Sequence, residues 1–152
     1  MTTRIERMGR WVKAGEAFEA WISGDLARML AARTVRTNPI DRHFLLQSIV
    51  KATYRLRTDP KMRRLCIETG IMHLGEFSMI APALRVELQG SLPRVPSFVW
   101  LATVLAEEGR VEEAVRFCKT AAGFGLEDGT KAGYLGRAER LARRKQKNRR
   151  DT

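Results

Sequence analysis

Cys66, Cys118, His43 and His73 are the only thiols and imidazoles in this 152-residue chain. Cys66 and His73 are spaced by about two helical turns and would share one face of a helix. A tetrahedral metal centre needs four ligands, normally including a close pair, and only His43 and Cys118 remain to complete one. The spacing argues against a metal site. A nucleophilic Cys–His pair needs a thiol in an exposed, electropositive cleft. Arg63 and Arg64 lie near Cys66, but both cysteines fall on apolar stripes, where a free thiol behaves as a small hydrophobe. Gly123-Phe-Gly-Leu-Glu-Asp-Gly129 looks superficially like a phosphate loop. It follows a helix, its glycine spacing is wrong, and its two acids repel phosphate, so it reads as a helix stop. The expectation is a protein that is not an enzyme, with no catalytic residues, no metal and no cofactor.

The elements carrying these residues read as helices, and period-two alternation is nowhere sustained. Trp11, Ala14, Phe18, Trp21 and Ile22 form one stripe, broken by Ser23-Gly24-Asp25. Leu26, Met29 and Leu30 form the next, stopped by Thr37-Asn38-Pro39. Asp41 is the expected N-cap of a helix lined by Leu45, Ile49, Ala52 and Leu56. Asp59 caps the following helix, with Pro60 at its first position. That helix runs to about His73, and Gly75 separates it from a connecting helix with Phe77, Ile80, Leu84 and Leu88. Pro82 implies a late start or a kink there.

Gly90–Pro96 is a loop. Ser97 is a candidate cap for Phe98, Leu101, Ala102 and Leu105, and Glu107-Glu108-Gly109-Arg110 turns the chain into Val111, Ala114, Cys118 and Ala121. Thr130 caps a last helix with Tyr134, Leu135, Ala138 and Leu141. Gly133 and Gly136 cost that helix about 1 kcal/mol each against alanine, which implies close packing on the hairpin before it. The predicted fold is therefore all-α. It is one domain over 1–144 with three antiparallel helix hairpins (9–37, 41–74 and 97–123), a connecting helix, and a capping helix over 130–144. A basic tail at 145–152 is expected to fray.

Composition narrows the class. The chain is 44% hydrophobic and 30% charged, which suits a globular domain. The apolar run near Val99–Ala106 is far shorter than the roughly 20 residues a membrane span needs. The first ten residues hold no apolar leader-like stretch, and two cysteines suit a reducing compartment. Both point to a cytoplasmic protein with no membrane partner. The formal charge is +11, and residues 137–152 hold eight basic and two acidic side chains, or +6 of that total.

Phe98, Leu101, Ala102, Leu105, Gly109, Ala114, Cys118 and Ala121 stand at the spacing of the tetratricopeptide-repeat pattern. The stretch Glu108-Gly-Arg-Val-Glu-Glu-Ala114 is similar to that family's inter-helix turn. Ala102 stands where the family favours glycine, Cys118 where it favours an aromatic, and Leu126 where it usually has proline. The resemblance covers residues 95–128 well. The first hairpin is a degenerate match, and the second matches only in layout, because Gln47 and Lys51 occupy positions meant for buried residues. The resemblance implies a TPR-like α-solenoid that binds a protein or peptide in a groove lined by the first helix of each pair. Lys51, Arg55, Val99 and Thr103 are the expected partner-binding positions.

Charge clusters supply the alternative. Glu107, Glu108, Glu112 and Glu113 bracket one hairpin corner, while Lys51, Arg55, Arg57, Lys61, Arg63 and Arg64 surround another. Each reads as a solvated surface, with an acidic partner as the second option for the basic set. Arg143, Arg144, Lys145, Lys147, Arg149 and Arg150 could contact nucleic-acid phosphates or an acidic partner. No interleaved aromatics or recognition helix accompany them. A protein-interaction module is the first reading, and nucleic-acid association through the basic end is the second.

Overall fold

The computed structural model describes residues 3–150, and most of them are helical. It opens on an antiparallel hairpin of β1 (Arg4–Arg7) and β2 (Arg10–Lys13), with Ile5 opposite Val12 and Glu6 opposite Trp11. Met8 (φ +54°) and Gly9 (φ +77°) make its turn, the pair of positive φ angles that matches strand twist in a two-residue loop. This corrects the expected helical start at residue 9. Four residues per strand are too few for alternation to register, and Trp11, placed on the helical stripe, is 66% exposed.

Helix α1 (Glu16–Ser23) ends at Gly24 in the left-handed conformation, and Asp25 caps α2 (Leu26–Ala32) by accepting from the Ala27 N–H. Helix α3 (Pro39–Arg55) is capped by Asn38, not Asp41. The Asn38 side-chain oxygen accepts from the Asp41 N–H, which leaves the Asp41 carboxylate for a buried role. Asp59 and Pro60 begin α4 (Pro60–Glu87) as expected. Gly75 does not end it: one 28-residue helix replaces the second helix and the separate connecting helix. Its buried stripe runs unbroken through Cys66, Gly70, His73, Phe77, Ile80 and Leu84, and that burial outweighs one glycine and one proline. Pro82 and Ser78 both face solvent, so water can reach the carbonyl that lacks its helical donor.

Helix α5 (Pro96–Glu107) starts with Pro96 in its first turn and Val95 at the cap position. Ser97 is buried with its hydroxyl unpartnered rather than capping. Gly109 (φ +81°) turns the chain into α6 (Val111–Gly123). Helix α7 (Gly133–Arg150) continues six residues past the expected limit at 144. Its basic last turn complements the negative end of the helix dipole, which offsets the lack of apolar burial. Gly133 and Gly136 serve the helix start, not packing on α6. Gly133 takes φ +67°, and a Cβ on Gly136 would collide with the Ala132 side chain.

α3 joins two cores. One face meets α1 and α2, where Leu45 and Ile49 pack with Ala17, Ala20, Met29 and Ala32. The other meets α4 and α5, and the larger core runs from Val50 and Cys66 through Phe77, Phe98 and Leu105 to Tyr134 and Leu141. Gly70 lets α4 and α5 approach: a Cβ there would lie 3.0 Å from Leu101 Cδ1. Neighbours continue as α5 on α6 and α6 on α7. No described helix is long and apolar enough to cross a membrane.

Candidate functional site

Helices α5 and α7 flank a groove of about 440 Å³. Ala102, Thr103 and Ala106 line it from α5, Val111 from the start of α6, and Leu141 from α7. Arg137, Arg140, Arg144 and Lys145 carry its positive charge, and Glu107 stands among them. The small side chains on α5 leave room for a groove of mixed apolar and charged lining between the two helices.

Three anchors set α7 in place. Tyr134, Ala138 and Leu141 are buried one turn apart. The Tyr134 hydroxyl donates to the Val95 carbonyl at 3.3 Å, and burial raises its pKa far above the usual phenol. Asp128 accepts from Thr130 N–H and Oγ1 and, at 2.9 Å, from Arg137 Nε. Burial opposes ionisation of Asp128, but these hydrogen bonds outweigh it and hold its carboxyl below the usual range.

The groove's four cations are not equivalent. Arg137 is held by Asp128, and Lys145 by Glu112 on α6. Arg140 and Arg144, one turn apart, have no acidic partner among the described residues. They are free to bind an anion.

Of the residues expected from sequence, Thr103, Arg144 and Lys145 come together here. The Thr103 hydroxyl donates back to the Val99 carbonyl at 2.8 Å, leaving its oxygen to accept. Val99 is partly buried against the core, while Lys51 and Arg55 are exposed on α3, outside this groove. Arg143 and Lys147 join Arg140 and Arg144 in a shallower basic depression. Arg149 lines a third depression, between α6 and α7, and Arg150 ends the helix. Sequence reasoning missed Ala102, Ala106, Arg137, Arg140 and Leu141 as one site. The i, i+3, i+4, i+7 recurrence of Arg137, Arg140, Leu141 and Arg144 was the signal for the α7 half.

The two charged corners find each other. Arg57 Nε bonds Glu107 at 2.9 Å, Arg63 lies 4.0 Å from Glu108, and Arg110 pairs with Glu113 at 2.7 Å. The acidic corner of α5–α6 thus neutralises part of the basic corner of α3–α4. Arg57 also lies over the Tyr54 ring at 4.0 Å, and Tyr54 stacks on Trp100 with 5.6 Å between centroids. Neither aromatic was singled out from sequence.

The thiols and imidazoles sit in the core. Cys66 and Cys118 are buried, and burial raises both pKa values, that of Cys118 to about 11. His43 Nδ1 lies 2.9 Å from His73 Nε2, and the Phe77 ring lies beside both. Burial lowers the His43 pKa to about 4 and drives that of His73 well below normal. No three His, Cys, Asp or Glu side chains among the described residues group as metal ligands. No known protein family, curated protein or solved structure matches the chain.

Proposed function

We propose that this chain is a non-catalytic protein–protein interaction module, a tetratricopeptide-like stack of α-hairpins that docks a polypeptide segment between first helices. In this reading it needs no cofactor, works in the cytoplasm and takes a protein or peptide partner. The α5–α7 groove carries the reading: it has small residues on its floor, cationic side chains along it, and a helix on either side. The neighbour order supports a repeat stack, since α3 and α5 each touch both helices of the hairpin before them. Buried thiols with raised pKa values support the absence of thiolate chemistry.

A groove-filling variant tests this. Peptides selected from a displayed random library on the full chain should lose affinity for Ala106→Trp and keep it for Ile22→Ser, on exposed α1 surface. Selected peptides indifferent to Ala106→Trp would contradict the groove as the docking site.

One observation favours the second reading, nucleic-acid association. Helix α7 extends to Arg150, with Arg140, Arg143, Arg144 and Lys147 gathered along one side. Such a strip would hold phosphates without reading sequence. Removing residues 143–152 would then abolish a steeply salt-dependent affinity for oligonucleotides.

A further inference from the structure

Resting on the docking reading above, we propose a specific ligand chemistry for the α5–α7 groove. It takes an acidic polypeptide segment with two carboxylates about 6 Å apart, the rise of one helical turn, paired with Arg140 and Arg144. An aliphatic side chain between them packs on Ala106 and Val111, the half-buried apolar residues of the groove.

The free arginines are the first ground. Within the groove, Arg137 is committed to Asp128 and Lys145 to Glu112, whereas Arg140 and Arg144 have no acidic partner among the described residues. Arg140 and Arg144 stand one turn apart on the same helix, where like charges destabilise it. The helix dipole compensates cations in the last turn, Lys147 to Arg150, but does not reach back to these two. Two carboxylates remove that repulsion, and each guanidinium offers a fork that fits a carboxylate.

The groove surface is the second ground. It mixes aliphatic side chains (Ala106, Val111, Leu141) with charged ones, and no aromatic ring among the described residues lines it to stack a nucleobase. Tyr54 and Trp100 are stacked on each other outside it. Glu107 at the groove is already paired with Arg57, so the uncompensated charge facing a ligand is that of Arg140 and Arg144. Carboxylates at i and i+4 of a helix, or at i and i+2 of a strand, both give the required spacing.

The test is fluorescence anisotropy at physiological salt with the full chain and five labelled probes. Two are acidic peptides, a Gly-Ser-flanked Glu-Leu-Glu and an alanine-based helix with Glu at i and i+4 and Leu beside them. The others are the glutamine version of each peptide, taken as one control set, and a twelve-residue oligothymidylate. At least one acidic peptide should bind, with its glutamine version about tenfold weaker or worse, as loss of a charge-assisted contact implies. Arg140→Gln with Arg144→Gln should give a similar loss, while Arg143→Gln, outside the groove, should not. Circular dichroism of each variant separates lost binding from lost folding. Equal binding of glutamine and glutamate peptides overturns the acidic ligand but leaves the docking reading standing. Oligothymidylate binding tighter than either peptide overturns both in favour of a phosphate strip.

Discussion

His43 Nδ1 and His73 Nε2 face each other at 2.9 Å across the α3–α4 contact. His73 Nδ1 is buried with no hydrogen-bond partner. A bare acceptor is easier to bury than a bare N–H, so His73 carries its proton on Nε2 and donates it to His43.

That pair sets a pH dependence. Burial lowers the folded His43 pKa from 6.5 to about 4, and burial, then His43 and Arg42, lower that of His73. The unfolded chain therefore binds protons first as pH falls below 6.5. The contribution is complete above 6.5 and is lost as pH falls toward 4, by up to about 1.4 kcal/mol per pH unit per histidine. Urea midpoints from pH 7.5 to 5 should fall accordingly, and His43→Gln should flatten the slope. An unchanged midpoint would place the imidazoles in water.

Asp41 ties the β-hairpin to the helices. Its Oδ1 accepts from Arg7 at 2.8 Å and from Trp21 Nε1 at 3.2 Å, and its Oδ2 accepts from Asn38 at 2.6 Å. Asp41→Ala leaves the Arg7 charge and the indole N–H without their acceptor, at a cost of about 3 kcal/mol. A lower melting temperature with a red-shifted tryptophan emission is the expected result. A loss below about 0.5 kcal/mol would contradict the buried role.

Two glycines of α4 should respond in opposite senses. Gly70→Ala drives a methyl into Leu101, so overpacking outweighs the gain in helix propensity and the variant loses about 1 kcal/mol. Gly75→Ala meets nothing within 4 Å and should gain about 0.5–1 kcal/mol. Chemical denaturation of both variants checks the helix register, since a reversed order is incompatible with it.

Both thiols should resist alkylation. With the Cys118 pKa near 11 and Cys66 also raised, iodoacetamide at pH 8 should label native protein far more slowly than protein in guanidinium. Rapid native labelling of Cys66 would reopen a nucleophilic role.

The hairpins of α1–α2 and α5–α6 were legible because each turn coincides with a glycine: Gly24 and Gly109 both have positive φ. Gly75 carried the same signal in sequence but stays helical, because whether a glycine ends a helix depends on the continuing stripe from His73 to Leu84. The Met8–Gly9 turn was hidden by neighbours whose spacing imitates a helix. In the groove, Thr103 and the basic run were readable one helix at a time. That Ala102 and Ala106 face Arg140 and Leu141 depends on how α7 packs, and that is tertiary information. The partnering of Arg57 with Glu107, fifty residues apart, was hidden for the same reason.

The docking account is tested most directly by mapping amide chemical shifts of the labelled full chain during titration with a selected peptide. Perturbations should concentrate on Thr103, Ala106, Arg140 and Arg144, and vanish in the Ala106→Trp variant. Shifts confined to the outward basic side at Arg143 and Lys147, or to the exposed Lys51–Arg55 surface of α3, would contradict it.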